Sequence, residues 1–424
     1  MRSLIFAVVA VASVASATET LTVEDAVKRA IELNLQMEAA RERREAAADG
    51  ARSVRGQMLP ALGVSDELQH YDGPFQVSFG PQMLTVRDQN VNTLALSARQ
   101  PVVGLLKLSQ DFVAANANTE AADAVVVATE RAAREAVETN YLRLYEARAA
   151  REVAQASQKQ LAEQLVVSKA RVEAGAMTNA DVLRVEVARA NIQQQELQAG
   201  VQESAARASL LTMLGFPLDA DVDFAAPLTL EAEADKPVPS VADATSTALS
   251  TRSDLQQQVR LLDAAEATSR SRLAALLPDI DLTAAYVRVD GQTLAQQNAA
   301  YIGVRASWAF WLWGTQWYAH RSAEHQAQAA RLLTNDLTLQ VRSDVSVRMD
   351  QLRAATSAID VAKTALSSAE EAYRVTAAVV QAGSGTTTDL LDSQSALTQA
   401  KLNLVRSRYQ QALARVQLRR AMGG

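Results

Sequence analysis

The sequence of 424 residues contains no cysteine, 9 prolines and 16 glycines, and its aromatic residues make up only 4% of the chain. Without cysteine there is no thiol nucleophile, thiolate-ligated metal, disulfide or lipidated N-terminal cysteine. The net charge of −6 gives no basic surplus to neutralise phosphates, which argues against nucleic-acid binding. What remains is an alanine-rich chain, 48% hydrophobic, whose composition favours closely packed helices over a β-sandwich or an α/β enzyme.

Residues 1–17 have the pattern of a secretory signal peptide. Arg2 supplies the positive start, residues 4–14 the apolar stretch, and Ala-Ser-Ala at 15–17 the cleavage site. No other segment approaches the roughly 20 apolar residues of a membrane-spanning helix. We therefore expect an exported mature chain that no transmembrane helix anchors.

Two long stretches, residues 105–174 and 315–382, contain neither glycine nor proline. A helix of that length reaches roughly 100 Å at about 1.5 Å per residue, which is too long for a globular domain of this size. After the first stretch, residues at 4-3-4-3 spacing form a mostly apolar coiled-coil seam. Its members are Leu183, Val187, Ala190, Gln194, Leu197, Val201, Ser204, Ala208 and Leu211. The pattern predicts long coiled-coil hairpins over about 105–215 and about 315–422.

The chain contains an internal duplication. A shift of 218 residues aligns 22–62 with 240–280 at 10 identities in 41 positions, and a later shift of 208 aligns AGAMTNADVL (174–183) with AGSGTTTDLL (382–391). The change of offset gives the first copy about ten extra residues before its long helix. This predicts two structural repeats, 18–216 and 240–424, joined by an acidic, proline-containing linker at 217–239.

Between the helical stretches, within about 60–104 and 278–314, the hydrophobic period changes to two, as in Ile280, Leu282 and Ala284. This pattern predicts two strands of about ten residues in each repeat, which are long enough to cross a bilayer when tilted. All four tryptophans, Trp308, Trp311, Trp313 and Trp317, crowd one strand end, as a membrane-interface girdle would. Four strands cannot close a barrel, so a membrane role requires several subunits. The alternative is a small soluble β-subdomain.

These features together resemble the TolC-like outer-membrane efflux protein family. The matching features are the signal peptide, the two repeats, LPAL (59–62) and LLPDI (276–280) before the strands, and G-x-x-T-x-x-D-[VL]-L at 175–183 and 383–391. The resemblance implies a mainly α fold with a membrane β-barrel part: a homotrimer with a twelve-stranded barrel in the outer membrane of a Gram-negative bacterium and an α-helical periplasmic tunnel.

The implied function is the exit duct of a tripartite efflux pump or type I secretion system, which exports small molecules or proteins. The implied partners are outer-membrane lipid, a periplasmic adaptor (membrane fusion protein) and an inner-membrane pump. The other hypothesis is a soluble periplasmic coiled-coil adaptor or scaffold. Neither the exported substrate nor the class of pump can be derived from the sequence.

The hairpin tips are the first candidate site. Gly175 and Gly383 permit the backbone to turn, and Thr178 and Thr386 precede the returning helices, with 386–388 offering N-cap residues. Turn and cap chemistry alone explains these residue types. The resemblance adds that the tips dock the adaptor.

Acidic residues beside the tips are the second candidate. Asp389 and Asp392 are three apart and share a helix face. The resemblance implies that these aspartates, contributed by several subunits, form acidic rings at a constriction. Such rings would attract cations, and their carboxylates would raise one another's pKa. The alternative is that the aspartates simply lie at a solvated helix N-terminus. The first repeat has Asp181 and Arg184 instead, so Arg184 either bridges to an aspartate of a neighbouring hairpin or pairs with Asp181.

Two positions depart from the best-known member of the family. Val380 and Gly385 stand where the best-known member has a closing tyrosine and arginine, so gating is expected to differ. The chain has no nucleophile-elbow, P-loop or zinc-protease motif. His320 and His325 lie five residues apart and do not share a helix face. We therefore expect no enzyme activity, cofactor or metal site.

Overall fold

A computed structural model describes residues 19–234, 236–294 and 296–424. The expected signal peptide at 1–17 lies outside the described residues. The elements up to the middle of the chain are β1 (Glu19–Leu21), α1 (Val23–Leu33), α2 (Leu35–Gln57), β2 (Ala61–His70), β3 (Phe75–Phe79), β4 (Gln82–Pro101), α3 (Gly104–Glu173), α4 (Asn179–Met213), β5 (Val222–Phe224) and α5 (Leu228–Ala234). Helix α3 is 70 residues long, as expected where glycine and proline are missing.

The second half repeats this order with fewer strands. Its elements are α6 (Val241–Thr251), α7 (Ser253–Ala274), β6 (Asp279–Gln292), β7 (Asn298–Ser307), α8 (Thr315–Gln381) and α9 (Thr387–Ala421). The predicted fold class, mainly α with a β part, is confirmed. Instead of the two strands expected in the first repeat there are three, because its extra residues form the β3–β4 hairpin around Gly80, whose φ is +62°. Within the described residues, no helix is both long and apolar enough to cross a membrane.

The chain divides into two compact units that cut across the predicted repeats. The first, here called the helical unit, comprises the described residues up to Met37, Thr129–Arg252 and Val341–Gly424. The second, the sheet unit, comprises Glu38–Ala128 and Ser253–Gln340. Each unit thus takes segments from both repeats, and the repeat boundaries stay a prediction.

Long antiparallel helices make up most of the helical unit. Helices α3 and α4 are joined along their length by polar pairs such as Arg151–Glu203 at 3.0 Å and Lys169–Glu186 at 3.3 Å. Helix α3 also packs on α9, where Ser157 Oγ lies 3.0 Å from Thr398 Oγ1. Helix α8 packs on α9 in turn through Arg348 and Gln417, at 3.0 Å.

The face of α4 that the chain itself buries is not the predicted seam. Val185, Ile192 and Ala199, spaced by seven residues, are buried, whereas Leu183 and Val201 on the predicted seam are 60% and 69% exposed. Helix α4 therefore carries two apolar stripes, and the predicted stripe is exposed over most of its length, although its last member, Leu211, is buried in the main hydrophobic cluster.

The predicted linker at 217–239 belongs to the folded core. Its strand β5 pairs in parallel with β1, and Phe224 and Leu230 are buried in the main hydrophobic cluster. The hydroxyl of Tyr141 on α3 lies 2.7 Å from the carbonyl oxygens of both Leu21 and Ala225. The segment still connects the repeats, but it is a packed part of the helical unit, because its few apolar residues fill that core.

The sheet unit contains an antiparallel sheet in the order β2-β4-β6-β7, with β3 paired to β4. One row of this sheet crosses all four strands as Leu62, Ala98, Ala284 and Ile302. Leu62 and Ile302, at its two ends, are 82% and 80% exposed. Because side chains alternate between faces, the neighbouring positions form the opposite face.

That opposite face carries charged and small residues. Arg99 and Asp281 form an ion pair of 2.6 Å there, and Asp281 is almost completely buried. The sheet is therefore apolar on one face and polar on the other, which is the pattern of a strand with lipid on one side and water on the other.

Candidate functional site

Both hairpin tips have the same local structure, as the duplication predicts. The glycines Gly175 and Gly383 have φ values of +74° and +82°, which suit a residue without Cβ. Each tip closes with a hydrogen bond that spans five residues, from the Ala176 amide to the Arg171 carbonyl (2.8 Å) and from Ser384 to Val379 (3.1 Å). This is the Schellman arrangement that ends many helices.

The returning helices both start with a capping box. Thr178 and Thr386 are the N-cap residues, and each accepts a hydrogen bond from the backbone amide three residues later. Each threonine hydroxyl donates to a carboxylate, that of Asp181 or Asp389, at 2.6 Å. The four residues thus satisfy the amides at the two helix starts, and any adaptor contact is an additional role that stays a prediction.

The two capping carboxylates are held in their charged form. Hydrogen bonds from the side chain and then the backbone of Thr386 lower the pKa of Asp389, and those of Thr178 lower that of Asp181. A crowded acidic ring is expected to raise the pKa of its members. Within one chain the pKa of both aspartates is lowered instead, because hydrogen bonds from the threonines, and no other carboxylate, act on them. Asp392 is exposed and takes no part in the cap.

Arg184 connects the two hairpins within one chain. Its Nη1 lies 3.3 Å from the Asp181 carboxylate and donates a hydrogen bond of 3.2 Å to Thr388 Oγ1 on α9. Of the two alternatives predicted from the sequence, the pairing with Asp181 is therefore the one present in the chain. The partner in the second hairpin is a hydroxyl rather than Asp389 or Asp392.

A groove of about 700 Å³ between α3, α4 and α9 extends from this contact. Leu183 and Val187 of the predicted seam line it together with Arg184, Leu391 and Asp392. It brings Arg184 and Asp392, two of the predicted constriction residues, to one surface. Their role at a constriction stays a prediction, because it depends on neighbouring subunits.

A buried polar layer under this groove was missed from the sequence. The Gln394 side chain donates to Gln160 Oε1 at 2.7 Å, and Thr398 meets Ser157. Gln394, Thr398 and Ser157 are all buried. The signal in the sequence is a run of Gln, Ser and Thr at spacings where a coiled coil usually places apolar residues; such polar pairs fix the register between helices.

Val380 and Gly385 contact each other at the second tip. A Cβ on Gly385 would lie 2.8 Å from Val380 Cγ2 and 3.2 Å from Val379 Cγ1. Val380 is buried. These two residues therefore form a compact, uncharged contact at the second tip.

The predicted aromatic residues form an exposed cluster after β7. The strand ends at Ser307, within the predicted bounds of 278–314, so the cluster lies in the connection to α8 and in its first turn. All four tryptophans are at least half exposed, with Trp313 at 85%. Trp313 also has a positive φ of 52°, next to Gly314 at 78°. An exposed aromatic cluster of this kind suits a membrane interface, and that role stays a prediction.

Metal binding has no support in the part of the chain that the structure describes. No group of three or more His, Asp and Glu side chains there is arranged to hold an ion. His320 packs instead against Trp317, with ring centroids 6.0 Å apart, and its Nδ1 lies 3.3 Å from the Ser269 carbonyl oxygen.

Two repeats of a long helical hairpin, combined with a sheet that is apolar on one face, define a chain of the outer-membrane channel class. The model of the outer membrane efflux protein family matches residues 26–216 and 244–424. The chain belongs to this family, whose members are channels rather than enzymes. The family resides in the outer membrane and extends into the periplasm, so a soluble periplasmic adaptor is not supported.

Similar proteins agree with this assignment. The outer membrane efflux protein BepC of Brucella suis is 25% identical over 279 residues, which are 64% of this chain and 60% of that protein. The outer-membrane channel OprN has a TM-score of 0.82 at 18% identity, covering 95% of this chain and 90% of OprN. VceC of Vibrio cholerae has a TM-score of 0.81 at 18% identity, covering 95% and 96%. At these identities the structural matches establish the fold.

Proposed function

We propose that three copies of the chain form a continuous duct through which an efflux or secretion system exports its substrate across the periplasm and the outer membrane. The observation that carries this proposal is the sheet, which has an apolar exposed face and two edge strands. Among the described strands, β2 pairs only with β4 and β7 only with β6. A sheet in the membrane must pair its edges, so β7 of one copy joins β2 of the next.

The helices support the same assembly. The exposed seam of α4 has a counterpart on α8, where Val347, Val361 and Val375 recur at intervals of fourteen residues and are 46–70% exposed. Spacing by multiples of seven keeps a stripe on one side of a coiled coil. Contact between the α4 seam of one copy and the α8 stripe of the next would bury both stripes, and a head-to-tail contact of this kind gives a ring when its rotation closes.

Three copies give an even number of strands that is large enough to close a barrel. Four strands from each copy give twelve, above the roughly eight strands that a barrel needs, while two copies only reach that minimum. The adaptor and the inner-membrane pump are the partners we propose for the tips, in line with the two exposed capping turns. We propose no catalytic residue and no cofactor.

The assembly is tested by a charge placed in the seam. Val201→Glu is expected to abolish the heat-resistant trimer on gels and the single-channel conductance in planar bilayers, because it puts a carboxylate into an apolar contact. Gln193→Glu, at another exposed position of α4 outside the seam, is the control and is expected to leave both unchanged. Normal trimers and conductance in Val201→Glu would contradict the proposed helix contact. A parent protein that conducts no ions would contradict the duct itself.

A further inference from the structure

A polar patch centred on Arg321 lies directly after the aromatic cluster, along α8 in the sheet unit. Tyr318, Arg321, Ser322 and His325 line a groove of about 700 Å³ along this helix, together with Gln326 and Ala329. They are spaced by three and four residues and therefore share one face. The helix is held in place by α7, through the His320–Ser269 contact and the ion pair Arg331–Glu266 at 2.7 Å.

The arginines around this patch differ in how many of their N–H donors are already hydrogen-bonded within the chain. Arg331 is hydrogen-bonded to Glu266, and Arg270 donates to Gln110 at 2.8 Å. Arg321 makes a single ion pair within the described residues, to Glu324 at 3.8 Å, which is beyond hydrogen-bond distance. A guanidinium has five N–H donors in a planar fork that fits phosphate oxygens. Arg321 therefore presents a nearly complete set of donors at the groove.

The distance of the patch from the aromatic residues matches the layering of a bilayer. Trp317 and Tyr318 occupy the first turn of α8, and both are at least half exposed. Arg321 lies one turn further, about 6 Å along the helix, and His325 about 12 Å. Tryptophan and tyrosine favour the boundary of the hydrocarbon core, and the headgroup layer beyond it is about 5–8 Å thick on each side. With α8 along the membrane normal, Arg321 is thus at the depth of lipid phosphates.

We propose that this patch binds the headgroup phosphate of an anionic phospholipid in the periplasmic leaflet of the outer membrane. Arg321 contacts the phosphate with its planar fork, Ser322 offers a further hydrogen bond, and Tyr318 and Trp317 lie against the acyl chains. This rests on the family's outer-membrane location but not on the exported substrate or on gating. Near the start of α3 in the first repeat, Lys107 is instead paired with Asp111 at 3.0 Å.

The test uses the detergent-solubilised full-length trimer and native mass spectrometry with added lipid. Dioleoyl phosphatidylglycerol is expected to remain bound more tightly than dioleoyl phosphatidylethanolamine, and Arg321→Ala is expected to lower its affinity by about tenfold, as for one lost charge-assisted hydrogen bond. Arg353→Ala is the matched control, because Arg353 is on the same helix, is 51% exposed against 50% for Arg321, and pairs with an acid three residues away. The control is expected to bind phosphatidylglycerol like the parent.

Three outcomes would overturn the proposal: equal binding of the two lipids, equal losses in Arg321→Ala and Arg353→Ala, or competition by millimolar inorganic phosphate that fully displaces the lipid. The last result would identify a free-phosphate site instead. Planar-bilayer conductance of Arg321→Ala, measured in parallel, is expected to equal that of the parent. A loss of lipid binding with normal conductance therefore tests the lipid site separately from the duct.

Discussion

The guanidinium of Arg184 in the first hairpin donates a hydrogen bond of 3.2 Å to the hydroxyl of Thr388 in the second. The same Nη1 is 3.3 Å from Asp181, in the first turn of its own helix. One exposed side chain therefore ties the two tips of a chain together. The duplication makes this contact asymmetric, because the residue that corresponds to Arg184 in the second hairpin is Asp392.

Replacement of Arg184 is expected to favour separation of the hairpins. Arg184→Ala removes both contacts, and Thr388→Val removes only the one between hairpins while the charge stays. Because exposed pairs of this kind are weak, we expect the open fraction in single-channel records to rise by a few-fold rather than by orders of magnitude. Equal effects of the two substitutions would assign the coupling to Thr388. Arg189→Ala, an exposed arginine on the same helix, is the control, and an open fraction unchanged in both test variants would contradict the coupling.

The acidic constriction is best tested through Asp392 rather than Asp389. Asp392→Asn removes a charge that no cap uses, so the preference for cations over anions in planar bilayers is expected to fall several-fold while the fold is kept. Asp389→Asn removes the same charge but also weakens the Thr386 capping box. Asp360→Asn, on the exposed side of α8, controls for net charge. Unchanged selectivity in Asp392→Asn would exclude this residue from the ion path.

Through Asp389, the stability of the second tip is expected to depend on pH. Its pKa is lowered in the fold by hydrogen bonds from Thr386. A lowered pKa gives stability that is present above the unfolded value, about 3.9, and is lost as the pH falls through the folded value. At neutral pH the cap is therefore intact and the carboxylate charged, so selectivity measurements near pH 7 compare the charged residue with its neutral replacement.

The sequence predicts the long helices and strands well because the signals are local. Missing glycine and proline indicate α3 and α8, and alternation indicates the sheet. The seam on α4 shows where such signals stop: Leu183 and Val185 are both apolar, yet the chain buries only Val185 completely. A heptad pattern identifies a face to bury but not whether its partner lies in the same chain.

The site shows the same limit. The spacing of Thr386 and Asp389 is that of a capping box, so this contact was predictable from the residues. The contact from Arg184 to Thr388 was not, because it joins residues 204 positions apart and depends on how two hairpins pack. The buried layer around Gln394 is equally nonlocal.

The contact between Gly385 and Val380 predicts a local loss of stability when a methyl group is added. Gly385→Ala places a Cβ 2.8 Å from Val380 Cγ2, and overpacking of this kind typically costs about 1–3 kcal/mol. Hydrogen exchange of the amides at 376–390 is expected to accelerate about tenfold or more.

The double variant Gly385→Ala/Val380→Ala is expected to recover only part of this protection, because Val379 Cγ1 and the Val380 backbone nitrogen also lie 3.2 Å from the new atom. Gly50→Ala in α2 is the control, since its Cβ would meet nothing within 4 Å. Unaltered hydrogen exchange at the tip in Gly385→Ala would show that the turn accommodates the added methyl group without loss of stability, which would contradict the prediction.

Burial of tyrosines in the helical unit predicts a loss of stability at alkaline pH. Burial is the main cause that raises the pKa of Tyr409 to about 12, against about 10 in the unfolded chain. A raised pKa gives stability that is fully present below pH 10 and is lost as the pH rises from 10 through 12, since the unfolded state releases its proton first. After allowance for the partial exposure of Tyr409, the effect is about 1 kcal/mol. Tyr409→Phe is therefore expected to reduce the fall in the helical unfolding temperature between pH 8 and pH 11, measured by circular dichroism. An identical fall in parent and variant would show that Tyr409 ionises equally easily in the folded and unfolded states.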